Sequence, residues 1–427
     1  MRKQLSLLLF AGLAAIGQAA ENTSSPRNVA TNHLSLQAVI RDAYEHNPSL
    51  KSARTRWEAA KARLRQAGAW ADTKFGVDME RSDTTRFTTF TDAEWMIAQE
   101  VPVSGKNRLR VRAVQAEAAA AFAELRRREL DLAARARIAY ARLANAHAQI
   151  DLNGNNDTLL RQVVELTRIR YEAGARLQSD VLMAETEQVK NEEARQDLER
   201  DLSDAQSQLN VLMNRPATDA LSAPAPNAFR EFPLRANEIE TAALQLRPEL
   251  QGASNRIAAA KAQHDLARRA WVPDPELRVE ARQYNGSGFI EYDTGVFFNL
   301  PWVNPGKYKS AIAEAKLNRE SAEHDLAALR AETSGLVRDQ VKKITTFHHH
   351  YTLFRDRLLP LAQQTLDATR IAYQNDRASL LEMLTAQRTA RETESTLQRH
   401  LADYLTALAE LESITGANLE TLTSSQP

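Results

Sequence analysis

One stretch of this chain occurs twice, and that duplication constrains the fold more than any other feature of the sequence. The first copy spans residues 168–184 and the second spans residues 370–386. The residues that recur at a constant offset are Arg168, Ile169, Tyr171, Leu182 and Ala184, matched by Arg370, Ile371, Tyr373, Leu384 and Ala386. Similar alanine-rich helical patterns also begin after Asn47-Pro48-Ser49-Leu50 and Arg247-Pro248-Glu249-Leu250. Repetition over this length predicts two copies of one structural plan, which we place at 34–233, including a proline-marked linker, and at 234–416.

The duplicated stretch has the residues of a turn between two helices. Gly174 supplies the position of positive φ that ends a helix, Ser179 is placed to cap the next helix, and Asp180 lies at the positive end of that helix dipole. In the second copy Glu382 replaces Asp180, and Asp376 takes the place of the glycine. Because Asp enters the left-handed region less readily than Gly, we expect the second turn to have a different shape.

Each copy also contains a segment in which apolar and polar residues alternate. In the second copy Pro273-Asp274-Pro275 ends a helix, residues 285–288 predict a turn, and the alternation continues on both sides of it. The first copy has the same pattern around polar residues 83–86. A return strand of about ten residues with one apolar face suits a tilted transmembrane β-strand. From the residues alone, a small soluble hairpin lying on a helical body fits equally well.

Long helices are predicted to follow the hairpins. Pro102 and Pro301 end the strands, since proline cannot donate to the ladder. In the first copy the helix runs from about Lys106 to Ala173, which at 1.5 Å per residue is roughly 100 Å. The run 153–156 (Asn-Gly-Asn-Asn) and, in the second copy, Pro360 weaken these helices at the same level, so we expect a kink or distortion midway. Apolar residues repeat with coiled-coil spacing on two adjacent faces, which favours a closed cylinder of helices.

Composition excludes several classes of protein. Lys plus Arg and Asp plus Glu number 55 each, so no overall basic field attracts nucleic acid. Gly and Pro number only 14 each, which favours long helices, and the absence of Cys excludes disulfides and thiolate sites. We find no sequence motif of an enzyme, so no catalytic residue or cofactor is assigned. His348-His349-His350 cannot converge on one ion, because consecutive helical residues point about 100° apart, and we assign no metal site.

The start of the chain predicts export. A basic beginning, an apolar run from Leu5 to Ile16 and small residues up to Ala20 are typical of a signal peptide, here 1–20. The apolar run is too short to span roughly 30 Å of hydrocarbon. Residues 21–33 and 417–427 are polar and predicted to be flexible.

The first tip resembles a known family. Tyr171, Gly174 and Asp180, followed by Val181-Leu182 and Ala184, match the tip pattern Tyr-x-x-Gly-x-x-x-x-x-Asp-Val-Leu-x-Ala of the TolC-type outer membrane factors. The resemblance implies a mainly α fold with a small β part, built as two tandem repeats of helix, β-hairpin, long helix, hairpin tip and return helix. It further implies a homotrimer with a twelve-stranded β-barrel in the cell outer membrane, continued by an α-helical barrel through the periplasm.

The function implied is that of a passive exit duct in a tripartite efflux pump. Its implied partners are a periplasmic adaptor (membrane fusion) protein, an inner membrane transporter of the resistance-nodulation-division type, and outer membrane lipid. Asp180 and Glu382 would ring the periplasmic entrance, and Tyr171 and Tyr373 would hold the tips together. An apolar Leu177 on an exposed turn, with the family resemblance, predicts adaptor docking at the tips by Arg176, Leu177, Ser179, Arg377 and Ser379.

Other readings of the sequence remain open. A periplasmic coiled-coil adaptor or scaffold without a pore is one alternative, although it would lack two strand hairpins at matching positions. A secreted helical structural or toxin-like protein is another. The junction from Trp271 to Pro275 resembles the heavy-metal cation efflux branch of the family, beside which drug efflux and type I secretion stay possible.

Overall fold

The computed structural model describes residues 33–80, 91–284 and 289–417. The predicted signal peptide, nearly all of the N-terminal segment, both predicted hairpin turns and residues 418–427 lie outside the described residues. The elements in chain order are α1 Leu36–His46, α2 Pro48–Gly68, β1 Lys74–Glu80, β2 Asp92–Glu100, α3 Lys106–Glu172, α4 Gln178–Leu212, α5 Ala236–Leu246, α6 Pro248–Arg269, β3 Pro275–Tyr284, β4 Phe289–Phe298, α7 Pro305–Leu353, α8 Leu359–Gln374 and α9 Leu380–Thr415. A π-helical segment, Phe354–Leu358, joins α7 to α8. Across these described ranges, no helix combines the length and the apolar character needed to cross a bilayer.

The order of elements is that of a duplicated chain, which confirms the predicted fold class. In the first half α2 leads into the β1–β2 hairpin, the long helix α3 and the return helix α4. In the second half α6, β3–β4, α7 with α8, and α9 follow in the same order. Proline stands at the first position of both α2 and α6, where its missing N–H has no partner in a helix.

The two hairpins join into one antiparallel sheet of order β1-β2-β3-β4. The central pairing is between β2 and β3, where Ile97 lies opposite Val279. The outer pairings place Phe75 opposite Ile97 and Val296 opposite Leu277. Strands β1 and β4 are therefore the two edges of the sheet within one chain.

The sheet carries its apolar side chains on an exposed face. Those at least 45% exposed on this face are Phe75, Val77, Met79, Ile97, Leu277, Val279, Tyr292, Val296 and Phe298. The opposite face is charged, and its ion pairs include Lys74–Glu276 at 2.6 Å and Arg282–Glu94 at 2.9 Å. A water-soluble sheet buries its apolar face, so this arrangement indicates a non-aqueous environment on the apolar side.

The helical body is packed through small residues. Ten alanines of α3 are buried, among them Ala136 and Ala139, which share a core cluster with Leu143 of the same helix and Leu209 of α4. A second cluster unites Val337 of α7 with Tyr404 and Leu411 of α9. Alanine lets helix backbones approach closely, which explains why long helices with few large apolar residues still pack together.

The expected midway distortion occurs in only one copy. Helix α3 continues through residues 153–156 without interruption, so the prediction is wrong there. Buried Asn153 and Asn156 donate to Asn191 of α4, at 3.1 Å to its carbonyl oxygen and 2.7 Å to its Oδ1, and these bonds offset the low helix propensity of asparagine. In the second copy the π-helical segment ends at Leu358, two residues before Pro360, which confirms the prediction there.

Candidate functional site

The candidate site is the pair of tips, residues 173–177 between α3 and α4 and residues 375–379 between α8 and α9. By helix rise, the 67 residues of α3 separate the tips from the sheet by roughly 100 Å. The two tips lie side by side, since Leu160 and Ala184 of the first copy share a core cluster with Tyr373 and Leu380 of the second. All residues proposed from the sequence for the tips therefore belong to one end of the molecule.

The two turns have the same backbone shape, and the prediction of a differently shaped second turn is wrong. Gly174 has φ 70° and Asp376 has φ 59°, so both are left-handed. In the first turn the N–H of Ala175 donates to the carbonyl oxygen of Arg170 at 2.9 Å. In the second the N–H of Arg377 donates to the carbonyl oxygen of Ala372 at 2.8 Å. Both helices end in the Schellman pattern of hydrogen bonds.

Ion pairs with the first tip explain how Asp376 holds this conformation. Its Oδ1 lies 3.2 Å from Arg170 and 2.9 Å from Arg176. A non-glycine residue in the left-handed region costs about 1–2 kcal/mol. The Asp376 side chain is 71% exposed, so each ion pair contributes roughly 0–1 kcal/mol, and together they are of the size needed to offset the cost.

Tyr373 is the buried centre of the contact between the tips. It is 0% exposed, and its hydroxyl lies 3.3 Å from Oγ1 of Thr167 on α3. The guanidinium groups of Arg170 and Arg176 lie 5.0 and 5.2 Å from its ring centre, within cation–π range. Arg170 also donates to the carbonyl oxygens of Tyr373 at 3.0 Å and of Gln374 at 2.9 Å. These contacts connect the first copy to the second within one chain.

The other proposed tip tyrosine occupies a different environment. Tyr171 is 43% exposed and lies on the outer surface of α3. The sequence predicts the same role for Tyr171 and Tyr373, because both fall at the same position of the duplicated pattern. In the structure only Tyr373 lies between the two tips.

The acidic residues hold equivalent positions, but the caps differ. Asp180 and Glu382 are each the third residue of a return helix. Glu382 closes a capping box with Ser379, whose N–H donates to its carboxylate at 2.7 Å. This bond and a second from the Ser379 hydroxyl lower the pKa of Glu382, so its carboxylate stays charged. The prediction that Ser179 caps α4 is wrong, since the N-cap position belongs to Leu177, which offers no side-chain bond.

The residues proposed for adaptor docking divide into two groups. Leu177 is 71% exposed, and Ser179, Arg377 and Ser379 are exposed as well. Arg176 is half-buried against Tyr373 and Asp376, so its side chain binds the second tip of the same chain. Further apolar residues that are more than half exposed surround the tips, namely Ile169, Leu182, Ile371 and Leu381. Exposed apolar residues in such number mark a contact surface.

Arg170, Thr167 and Asp376 were not proposed from the sequence as site residues. Asp376 offered one signal, since an Asp in a position that requires positive φ needs a compensating partner. Arg170 and Thr167 offered none, because nothing in the sequence shows which helix of the second copy they contact. Their roles follow from the packing of α3 against α9 and the second tip.

The histidine run does not gather into a metal site. Within the described ranges, no group of three or more His, Cys, Asp or Glu side chains is placed to hold a metal ion. His348 lies 3.5 Å from Glu231, and the rings of His350 and His400 are 5.2 Å apart. Burial and the nearby His350 lower the pKa of His400. Of the three histidines, His349 is exposed, whereas His348 and His350 are half-buried.

Comparison with known protein families identifies the class of protein. The sequence pattern of the outer membrane efflux protein family matches residues 39–215 and 241–417, which together make up most of the chain. The chain belongs to this family. Membership places this efflux protein in the outer membrane, with the helical part extending into the periplasm. No curated protein matches the sequence significantly.

Solved structures share the fold of this outer membrane efflux protein. The outer membrane protein VceC of Vibrio cholerae is 20% identical, with a TM-score of 0.77, 90% of this chain covered and 96% of that chain. CusC, described for its folding and transmembrane channel formation, is 17% identical, with a TM-score of 0.77 and coverage of 91% and 93%. The open state of the MtrE outer membrane channel of Neisseria gonorrhoeae is 18% identical, with a TM-score of 0.77 and coverage of 90% and 89%. At these identities the likeness extends to the fold alone.

Proposed function

We propose that the protein is the passive exit duct of a tripartite efflux pump. Three copies would contribute four strands each to a twelve-stranded barrel in the outer membrane, and their helices would form a tunnel through the periplasm. A periplasmic adaptor would bind at the tips, and an inner membrane transporter would supply the energy and select the substrate. The sequence resemblance and the family membership support this assignment.

One observation carries the proposal, namely the four-stranded sheet with an exposed apolar face and two open edges. In a bilayer an open edge leaves backbone groups without partners, at a cost of several kcal/mol for each group. Membrane barrels need about eight or more strands, so one chain cannot close a barrel alone. Pooling strands among copies removes both edges and turns every apolar face toward lipid.

The charged face of the sheet fits the inner wall of such a barrel. Arg278 lies 3.4 Å from both Glu276 and Glu280, and Arg282 pairs with Asp92 and Glu94. Charged side chains facing a water-filled lumen are tolerated, whereas the same charges facing lipid would be strongly destabilising. The two faces of the sheet therefore match the two environments of a pore wall.

We further propose that the paired tips form the periplasmic entrance. The contacts of Arg170 and Arg176 with Asp376 and Tyr373 would hold each pair of tips together. Asp180 and Glu382, repeated in each copy, would surround the entrance with negative charge. Such a ring in a narrow aqueous mouth attracts cations and is screened by salt.

The assembly is tested by sedimentation of the protein purified in detergent. A trimer that dissociates on heating, with a matching shift in gel mobility, is the expected result. Conductance after reconstitution into planar bilayers is the expected functional readout. A stable folded monomer in detergent, or a trimer without conductance, would contradict the exit-duct assignment.

A further inference from the structure

A buried carboxylate ties the two hairpins together where the sheet meets the helices. Asp274, immediately before β3, accepts bonds from the N–H of Ser104 at 2.7 Å, the Ser104 hydroxyl at 2.8 Å and the Lys106 ammonium at 3.0 Å. The Asp274 side chain is only 4% exposed. Beside it the N–H of Val101 donates to the carbonyl oxygen of Pro275 at 2.9 Å. This junction links the exit of the first hairpin to the entry of the second.

The duplication identifies the residue equivalent to Asp274 at the other end of the sheet. Ile97 lies five residues before the strand-ending Pro102, and Val296 lies five residues before the strand-ending Pro301. Their antiparallel partners are Phe75 and Leu277, which are therefore equivalent. Asp72 lies three residues before Phe75, as Asp274 lies three residues before Leu277. Asp72 is thus the first-copy counterpart of the buried Asp274.

The donors have counterparts as well. A Gly-Lys pair follows the strand-ending proline in both copies, three residues after Pro102 and, with two more residues between, five residues after Pro301. Asn304, within that longer connection, stands at the N-cap of α7 without a side-chain capping bond. Asp72, Asn304 and Lys307 are all exposed. They cannot meet within one chain, because β1 and β4 lie three strand spacings apart, roughly 14 Å.

We propose that a second copy of this chain completes the junction across the subunit boundary, in one defined register. Strand β4 would pair antiparallel with β1 of the second copy, with Val296 opposite Val77 and Phe298 opposite Phe75. Asn304 and Lys307 would then bind Asp72 of the second copy, as Ser104 and Lys106 bind Asp274 within the chain. This inference rests on the proposed pooling of strands and specifies the surface that performs it.

The proposed register also matches the apolar faces of the two strands, although these faces were not used to derive it. When β4 pairs with β1 of the second copy as β2 pairs with β3, exposed apolar residues of one strand lie opposite exposed apolar residues of the other. A shift of one residue would set Phe298 opposite Lys74 or Gly76 and would mix the apolar and charged faces, because side chains alternate with a period of two. The same transfer gives the N–H of Leu300 an acceptor, the carbonyl oxygen of Thr73 in the second copy.

The absence of native cysteine makes the register directly testable. In the variant Val77→Cys with Val296→Cys, we expect copper–phenanthroline oxidation to give covalent dimers and trimers on non-reducing gels. A disulfide requires Cα atoms within about 7 Å, so neither an intrachain bond across the sheet nor a slipped register can produce this ladder. The matched control is Met79→Cys with Phe298→Cys, which the proposed register separates by four residues, about 14 Å.

Charge reversal tests the junction itself. Asp72→Lys and Lys307→Asp should each lower the temperature at which the oligomer dissociates, by several degrees, and the double exchange should recover most of the loss. Glu165→Lys, an exposed charge near the tips, is the control and should leave that temperature unchanged. If the double exchange is as unstable as the sum of the single changes, Asp72 and Lys307 do not pair.

The outcomes separate this inference from the proposed function. If wild-type protein is a stable monomer in detergent, both fail. If the trimer forms but Met79/Phe298 cross-links as well as or better than Val77/Val296, the register proposed here is wrong and the exit duct stands. Cross-linking at Val77/Val296 together with recovery in the double exchange is the result that supports the junction.

Discussion

The two tips have the same backbone conformation but different chemistry. The first tip uses Gly174 at the left-handed position and ends its turn at Leu177, whereas the second uses Asp376 and Ser379 at the equivalent places. Glycine reaches positive φ at little steric cost but offers no side chain. Aspartate is strained there, yet it presents a carboxylate to Arg170 and Arg176.

This difference shows what duplication permits. Two identical tips could each form a turn, but neither would carry a complementary group for the other. Asp376 in the second tip pairs with Arg176 of the first tip and with Arg170 near the end of α3, so the two copies become partners. The same divergence leaves the first tip with an exposed Leu177 and gives the second a closed capping box, so the two also differ in what they offer to other proteins.

The largest effect is expected at Leu177. Leu177→Asp should abolish efflux while the trimer remains assembled, because a central apolar contact residue is worth about 2 kcal/mol or more, roughly 30-fold in affinity. Leu177→Ser gives the first tip the cap of the second and should also abolish efflux, although serine favours the helix. Drug or metal susceptibility of complemented cells is the readout. Val189→Asp, which is 65% exposed on α4, is the control, and normal efflux with Leu177→Ser would remove Leu177 from the docking surface.

The next effect concerns the link between the tips. Asp376→Gly makes the second turn like the first, and it should raise the open probability in single-channel recordings because the contacts with Arg170 and Arg176 are lost. Asp376→Ala should open the channel as much and also destabilise the turn, by about 1 kcal/mol, since alanine is strained at positive φ. Arg377→Ala removes a neighbouring charge outside the link and should leave the open probability at the wild-type value. Unchanged gating in Asp376→Gly would show that the ion pairs do not hold the tips closed.

A smaller effect is expected from the acidic residues. The double variant Asp180→Asn, Glu382→Gln should lose cation preference, measured as the reversal potential in asymmetric salt. In wild type the lowered pKa of Glu382 should preserve part of this preference below pH 4.5, the usual value of a glutamate. The preference should then disappear as pH falls through the lowered value. An unchanged reversal potential in the double variant would assign both carboxylates to helix capping alone.

The smallest effect distinguishes the two caps. Ser379→Ala should speed amide exchange in the first turn of α9 about fivefold, which corresponds to the roughly 1 kcal/mol lost with a serine cap. Ser179→Ala should leave α4 unchanged. Because the pKa of Glu382 is lowered in the folded state, its stabilisation is present above the unfolded-state pKa and is lost as pH falls through the folded one. The advantage of wild type over Ser379→Ala should therefore shrink in acid, and equal exchange in both serine variants would contradict the capping difference.

The fold could be predicted from the sequence because the patterns that indicate it are local or periodic. The repeated tip pattern, the alternation around residues 285–288 and the prolines that end the strands each constrain a short segment of backbone. Where a local signal competes with tertiary contacts, it was misleading. Residues 153–156 weaken a helix in isolation, but Asn191 satisfies Asn153 and Asn156 in the packed structure.

Less of the candidate site than of the fold could be predicted from the sequence. Asp180, Glu382 and Leu177 could be placed because a turn fixes them relative to a helix end. The partners of Asp376 could not, because Arg170 and Arg176 are 206 and 200 positions away in the chain and meet it only through packing. The predicted cap at Ser179 was wrong for a related reason. Serine favours the N-cap position, but α4 already begins at Gln178, so Ser179 lies inside the helix.

In the proposed duct, the charged face of the sheet has a consequence for how solutes would pass. Each positive side chain there already has a carboxylate within 2.6–3.4 Å, attached to the same wall. A dissolved anion can adhere to these side chains only by displacing a carboxylate that cannot diffuse away. Carboxylates outnumber the positive side chains on this face, since Asp78, Glu80 and Asp293 lie there, each opposite another acidic residue. The surplus negative charge should raise the local concentration of cations and lower that of anions. Passage along the strands should therefore depend on the sign of the solute's charge.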